Sequence, residues 1–432
     1  MKALKLLQVG DLHYPELVRG NLNVDQGDSG FPTLLQSLVA TPPSQVVARE
    51  MARLLTADQQ IQGVLICGDL TSKGDLDGFE KGLHWLAKQL GLESRDRWSV
   101  ESVHAVPGNH DINRRAVTQG GPDIYKKFEE LERAWRNQVG DLEYTVRTVR
   151  TTLVGGSTRV AITSLNSCLG CGEYRGLPDT ICDALWRASV DLIESQNIDD
   201  YNALQYEQLD TPAFDELHIS ELVSSITASA PAIVPIVLAH HNLLPQGLVR
   251  ISPYTELVNG GNIRRRLSNC GRSVLYLHGH IHDDPIEDIT RLDGTTSQHG
   301  SLITISAPEL CSGFNVLSIV FSRLGHPIGC AVEAYRRQQH GDVILQDVVK
   351  IPLVKDANTA LSLLDEAGRS LLHVLSGTPK RFHEVLSLAK QHHGLNRNVI
   401  EDRIREVAWL RLAILINEDQ EPDQWQIQGV RP

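Results

Sequence analysis

The segment Leu4-Lys5-Leu6-Leu7-Gln8-Val9-Gly10-Asp11-Leu12-His13 poses the fold question at once. Its first six residues read as a buried strand, because a short apolar run suits a pleated sheet covered on both faces. Directly after it come a glycine, a carboxylate and an imidazole. A D-x-H spacing sets two side chains on the same side of an extended segment, so Asp11 and His13 can reach one centre or two neighbouring ones. The same pattern recurs along the chain. Val64–Cys67 leads into Gly68-Asp69-Leu70-Thr71, and Val103–Val106 into Pro107-Gly108-Asn109-His110-Asp111. Ile233–Ala239 leads into His240-His241-Asn242, and Val274–Leu277 into His278-Gly279-His280-Ile281-His282.

Further strand-like runs are Val160–Leu165, Leu302–Ile305 and Asn315–Phe321. Val46–Leu55, Phe79–Leu92, Tyr125–Trp135 and Phe214–Ile226 carry apolar residues at helical spacing. This alternation predicts a layered α/β fold, its early strands mostly parallel and its close-set later ones antiparallel. Parallel strands end on one edge, where loop donors converge. Taken singly, each motif is ordinary: G-D-L-T is a turn with a helix cap, and G-N-H-D a turn. Together they supply three Asp or Asn oxygens and at least four imidazoles, without a thiolate. Oxygen and nitrogen donors suit Mn, Fe, Zn, Ni or Co. The count exceeds one tetrahedral zinc and fits two metals about 3.5–4 Å apart, bridged by a carboxylate and a water.

The ordered set resembles the calcineurin-like metallophosphoesterase family, whose pattern runs D-x-H, G-D, G-N-H-[DE], a His after a strand, and G-H-x-H. The resemblance covers about Lys5 to Phe321 and stops short of the C-terminus. It implies a layered β-sandwich flanked by helices and two divalent metal ions, manganese first, with Fe, Zn, Ni or Co as alternatives. It implies that Asp11, His13 and His282 hold one metal, that Asn109, His240 and His280 hold the other, and that Asp69 bridges them. His110 then protonates the leaving oxygen, oriented by Asp111. His240 and His241 are adjacent, and strand alternation sends them to opposite faces. The family's His follows the apolar run directly, which favours His240 and leaves His241 and Asn242 for substrate. The implied reaction is attack on phosphorus by a hydroxide bridging the metals.

Composition narrows the reading. The chain has 432 residues, enough for two or three domains or one large domain with an appendage. With 41% hydrophobic and 22% charged residues, it is not a disordered chain. Lys plus Arg is 41 against 53 Asp plus Glu, and the resulting −12 excludes a general polyanion binder. The run Ala232–Ala239, broken by Pro235, falls far short of the roughly 20 apolar residues of a spanning helix. The N-terminal run is too short for a signal peptide. The odd count of 7 cysteines then reads as reduced thiols in a cytoplasm. Cys168 and Cys171 form a lone C-x-x-C, followed by Cys182. A zinc site wants a fourth ligand and usually a second pair, so these read as ordinary thiols.

The expected organisation is a phosphoesterase domain over 1–355, with insertions at 118–156 and 174–211. A helical C-terminal module over 356–417 and a flexible tail over 418–432 follow. The module's helices are read as Ala360–Leu375, Phe382–Gln391 and Val399–Asn417, with Asp356 and Thr359 as caps. Their Leu- and Ile-rich faces pack on each other or the main domain, or bind a partner protein or a second copy. The negative charge favours a nucleotide or other small phosphodiester as substrate. A nuclease is the second reading, with Arg114-Arg115 and Arg264-Arg265-Arg266 as phosphate contacts. Only 5% of residues are aromatic, which leaves few stacking platforms for single strands. A partner-regulated component of a larger complex is the third.

Overall fold

The computed structural model describes residues 1–15, 42–113 (except 59, 73 and 95), 123–172 (except 157), scattered positions over 180–195, and 211–244. It also describes 257–281, 285–290 and 300–430 (except 340). The first sheet starts with β1 (Lys2–Val9), β2 (Ile61–Ile66), β3 (Val103–Ala105) and β4 (Glu143–Tyr144), paired in parallel. On the other side of β1, β11 (Gly313–Phe321), β12 (Pro327–Arg337) and β13 (Val343–Pro352) run antiparallel, giving the order β13-β12-β11-β1-β2-β3-β4. The second sheet has β5 (Arg150–Val154), β6 (Arg159–Ser164), β7 (Ile233–Leu238), β8 (Val274–His278), β10 (Ser301–Ser306) and β9 (Ile286–Thr290), in that order. Its β6, β7, β8 and β10 are parallel.

The period of two explains the layering. Leu4 and Leu6 of β1 face the second sheet, where they meet Ile162, Ile236, Leu277 and Ile305. Leu7 and Val9 face the other way, onto α1 (Pro43–Ala57), α2 (Leu76–Leu90) and α3 (Glu129–Val139). The outer face of the second sheet is covered by α4 (Glu216–Ala228) and α5 (Gly260–Ser268). The result is the layered β-sandwich flanked by helices that the motifs implied. Between the sheets, buried Gln8 donates to the carbonyls of Ile305 (3.1 Å) and His278 (3.4 Å), stapling β1 to the partner sheet.

Three expectations are corrected. First, the strand ends that carry donors belong to two sheets rather than one. Second, the described part of the expected insertion at 118–156 is structural: α3 packs Leu131, Trp135 and Val139 against the first sheet, and β4 and β5 belong to the two sheets. The expected excursion at 174–211 lies almost wholly outside the described residues. Third, the C-terminal module is not all helix and its tail is not loose. Ala360–Leu375 is two helices, α6 (Ala357–Ser362) and α7 (Glu366–Leu375), because Asp365 caps the second by accepting from the Gly368 amide. Asp356, not Thr359, caps α6. The module continues with β14 (Lys380–Arg381), α8 (Phe382–His393), the turn Gly394-Leu395-Asn396, α9 (Arg397–Trp409), β15 (Ala413–Ile416) and β16 (Gln426–Gly429). The last strand lies between the other two, in the order β14-β16-β15. This is a helix–turn–helix followed by a β-hairpin wing. Buried Trp425 and Ile427 anchor the expected tail in the module's core, which also takes in Val320 and Ile328 of the sandwich. Among the described residues, no helix is long and apolar enough to cross a membrane.

Candidate metal centre

The ends of β1, β2 and β3 meet those of β7 and β8 across the sandwich. Residues directly after these strands are locked by backbone bonds from one strand end to the next. The Asp11 amide donates to the Gly68 carbonyl and the His13 amide to that of Asp69, both at 3.0 Å. The Gly279 amide donates to the His240 carbonyl at 3.0 Å. Four of these residues adopt left-handed backbone: Asp11 (φ 53°), His13 (47°), Asp69 (55°) and His280 (71°). Such conformations are costly for residues with a Cβ and gather where a fold over-determines a site.

Asp69 stands at the middle. Its carboxylate is buried, 3.3 Å from His240 Nε2 and 3.9 Å from His13 Nε2, and accepts the His110 amide at 2.9 Å. Burial alone would raise its pKa, but His240, His110 and His13 together hold it well below the usual carboxylate range. Asp11, also buried, accepts the His280 amide at 3.1 Å. His240 Nδ1 donates to the Cys67 carbonyl at 2.7 Å, which turns Nε2 toward Asp69 and toward Asn109 Oδ1 at 3.0 Å. A backbone carbonyl on the rear nitrogen is the usual brace of a metal-binding imidazole. Burial pulls this imidazole's pKa down, but Asp69 and Asp11 outweigh it and raise it to about 9.

The donors form overlapping groups. Asp11, Asp69 and His240 make one, His13, Asp69 and His110 a second, and His240, His241 and His280 a third. Within each, candidate ligand atoms lie within 4.8 Å of one another. Two glycines mark how tightly backbone approaches the carboxylates. A Cβ on Gly108 would stand 2.0 Å from Asp69 Oδ1, and one on Gly279 would stand 2.4 Å from Asp11 Oδ2. Buried carboxylates, imidazoles and an amide oxygen in this density fit a pair of divalent cations, which would compensate charge that burial otherwise penalises.

Asp11, His13, Asp69, Asn109, His110, His240 and His280 therefore converge; His282 lies outside the described residues. Asp111 is fully buried. Its two oxygens accept the amides of Thr71 (3.0 Å) and Gly108 (2.9 Å), so it braces the loop that carries His110. Burial and the nearby Asp69 charge raise its pKa to about 7. The group that meets His110 Nδ1 is the Ser72 carbonyl, at 3.0 Å. The sequence reading passed over Ser72, and also over Ser167, whose hydroxyl lies 2.9 Å from His241 Nδ1 and receives the amides of His240 and His241. Ser167 follows the Val160–Leu165 strand closely, so the strand-end rule could have found it. Arg114 and Arg115 lie outside the described residues. Arg266 sits on α5 and pairs with Ser220 and Glu216 of α4, on the sandwich's outer flank.

This geometry fits a binuclear divalent metal centre. The chain belongs to the calcineurin-like phosphoesterase family, whose model matches residues 4–284, and this match makes it a metal-dependent phosphoric ester hydrolase. A search of curated proteins finds no match. Among solved structures, the chain is similar to a dimetal phosphatase from Danio rerio, at 13% identity and a TM-score of 0.44, covering 81% of this chain and 99% of that one. It is also similar to PhoD, at 8% identity and a TM-score of 0.45, covering 82% and 69%. A 5'-nucleotidase precursor from Thermus thermophilus gives 14% identity and a TM-score of 0.37, covering 79% of this chain and 56% of that one.

Proposed function

We propose that the chain hydrolyses a phosphodiester, either a nucleotide or another small diester, using two divalent ions, manganese first among them. The supporting observation is the buried Asp69 carboxylate set among imidazoles delivered by both sheets. Asp11 and His13, with His282, would hold one ion, Asn109, His240 and His280 would hold the other, and Asp69 would serve both. Bound there, the ions supply an acidified water and neutralise the phosphoryl oxygens. The remaining steps fall to the chain. Cys67 and Ser72 carbonyls fix the His240 and His110 rings, so each presents Nε2. His110, in its protonated form, gives the leaving oxygen its proton from Nε2. Asp111 keeps the His110 loop seated through the Gly108 and Thr71 amides. The thiols, free among the described residues, fit a cytoplasmic enzyme.

One observation favours a nuclease as the second reading. The C-terminal helix–turn–helix exposes Lys390, Arg397 and Asn398, and such motifs present a helix to a duplex groove. Its wing, however, carries Glu418, Asp419, Glu421 and Asp423, which repel phosphates, so the small diester stands first. The third reading, a component regulated through a partner on the module, draws on exposed Ile414, Ile416 and Val430.

The test is product analysis with Mn²⁺-loaded protein. One substrate set holds cyclic nucleotides, small diesters and matched monoesters; the other holds labelled DNA and RNA. Asp69→Asn is the blank. Asp69-dependent turnover of small diesters is expected. Turnover confined to monoesters overturns the diester reading, and polymer cleavage selects the nuclease.

A further inference from the structure

We propose that Cys168, Cys171 and His241 form a separate soft-metal site, suited to Zn²⁺, beside the binuclear centre. The sequence offered only a C-x-x-C; the fold brings a third donor from a distant strand end. The two thiols and the imidazole are almost fully buried, and their candidate ligand atoms lie within 4.8 Å of one another. Cys168 Sγ is 3.9 Å from His241 Nδ1.

The loop that presents the thiols is held on several sides. The Cys171 amide donates to the Cys168 carbonyl at 3.1 Å, closing a tight turn. The Cys168 amide donates to Asn166 Oδ1 at 2.8 Å. Buried Lys127 donates to the carbonyls of Leu169 (2.6 Å) and Cys171 (2.7 Å), and the Thr211 hydroxyl donates to that of Gly170 at 2.7 Å. Held donors bind metal without paying to order themselves.

The donor chemistry separates this site from its neighbour. Thiolate pairs select Zn²⁺ and other soft cations, whereas the carboxylate–imidazole set next door suits harder ones. His240 turns Nε2 to Asp69 and Asn109, whereas His241 Nδ1 lies 2.9 Å from the Ser167 hydroxyl and 3.9 Å from Cys168 Sγ, so an ion held here would take the place of the Ser167 bond. Charge balances as well. On binding, each thiol loses its proton, and two thiolates with a neutral imidazole and Zn²⁺ leave no net charge in the core. The S–H bond from Cys168 to the Pro107 carbonyl, now 3.2 Å, gives way to the metal bond. Three protein ligands and one water complete a tetrahedral set. His241 and His280 have ring centroids 4.5 Å apart, so an ion here also fixes the wall of the neighbouring centre.

The test uses full-length protein, stripped of metal and kept reduced, titrated with Co²⁺ and separately loaded with Zn²⁺. A thiolate-to-cobalt charge-transfer band is expected in the wild type and in Asp69→Asn, and its loss in Cys168→Ser/Cys171→Ser. Zinc content of the double variant should fall by about one ion per chain relative to the wild type. No thiolate band in the wild type overturns the proposal, whether or not the variant folds. Equal zinc content in a folded double variant overturns it too. Because the Asp69→Asn protein is read alongside, failure of the binuclear centre registers separately.

Discussion

The donor edge of the sandwich and the C-terminal module put their local backbone to different uses. At the edge, Asp11, His13, Asp69 and His280 all sit in left-handed backbone, their neighbours Gly108 and Gly279 leave no room for a Cβ, and carboxylates are buried. Each left-handed residue costs roughly 1–2 kcal/mol. In the module, Asp356, Asp365 and Asn396 cap helices by accepting amides, Gly394 takes the left-handed C-cap, and Leu371, Val385, Ile404 and Trp425 close an apolar core. Its buried Arg403 is paired with Asp365 and Glu406. Arg411 (φ 57°) and Asn417 (φ 62°) are left-handed in the module too, but they flank β15 and carry no donors, whereas at the edge the left-handed residues are the donors themselves, held in place by the two packed sheets behind them. A site that violates local rules while its scaffold obeys them is where chemistry is expected.

The comparison can be broken by substitutions that move one property and spare the other. The largest effect is expected for Asp69→Asn. Activity should fall by about 10³-fold or more, since both halves of the centre lose a charged donor. The fold should persist, with kcat/KM and bound metal as the readouts; activity retained within a few-fold would remove Asp69 from the centre. Gly108→Ala should rank next. The added Cβ pushes on the Asp69 carboxylate, and a shift near 1 Å costs about 10²-fold in rate. Thermal unfolding measured alongside separates a displaced donor from a lost fold.

The third prediction concerns pH. His104 lies on β3 between the sheets, away from the donors, with Ser164 and Thr152 at its nitrogens. Burial lowers its pKa to about 4, with Arg150 adding to the effect. The unfolded imidazole takes its proton near 6.5 and the folded one only near 4, so the unfolded state binds more protons in between. Stability should therefore fall as pH drops from about 6.5 toward 4, by up to about 3 kcal/mol from this group. His104→Gln should flatten that part of the curve in denaturant titrations; an unchanged slope would show that His104 is not responsible. The smallest effect is expected for Asn396→Ala, which removes the cap bond to the Val399 amide. The loss should be about 1 kcal/mol of stability, with kcat unchanged. A change in kcat would mean that module and edge are coupled more closely than the contrast suggests.

Much of the sandwich and its donors was legible because its central strands are local apolar runs and each donor sits directly behind one. The strands Leu4–Val9, Ile233–Ala239 and Val274–Leu277 and the helical spacing of Val46–Leu55 and Phe79–Leu92 needed no tertiary information. What was missed has a common cause. Ala413–Ile416 continues the apolar pattern of α9, and Gln426–Gly429 is polar, so only their mutual pairing makes them strands. Strands β12 and β13 went unread as well; β13 is an edge strand whose Ile344, Leu345 and Val348 stand exposed, and the pairing of β11, β12 and β13 is what defines both.

By itself, the sequence determined the alternation of strands and helices, the order of the donor motifs and hence the family. Those depend on near neighbours along the chain. Only the tertiary structure decided that the donors come from two sheets, that Ser72 rather than Asp111 meets His110, and how the adjacent histidines divide. His240 reaches Asp69 and Asn109, whereas His241 meets the Ser167 hydroxyl, more than seventy residues away in the chain. Such partners are set by which strand ends the packed sheets bring together, and spacing along the chain carries no record of that distance.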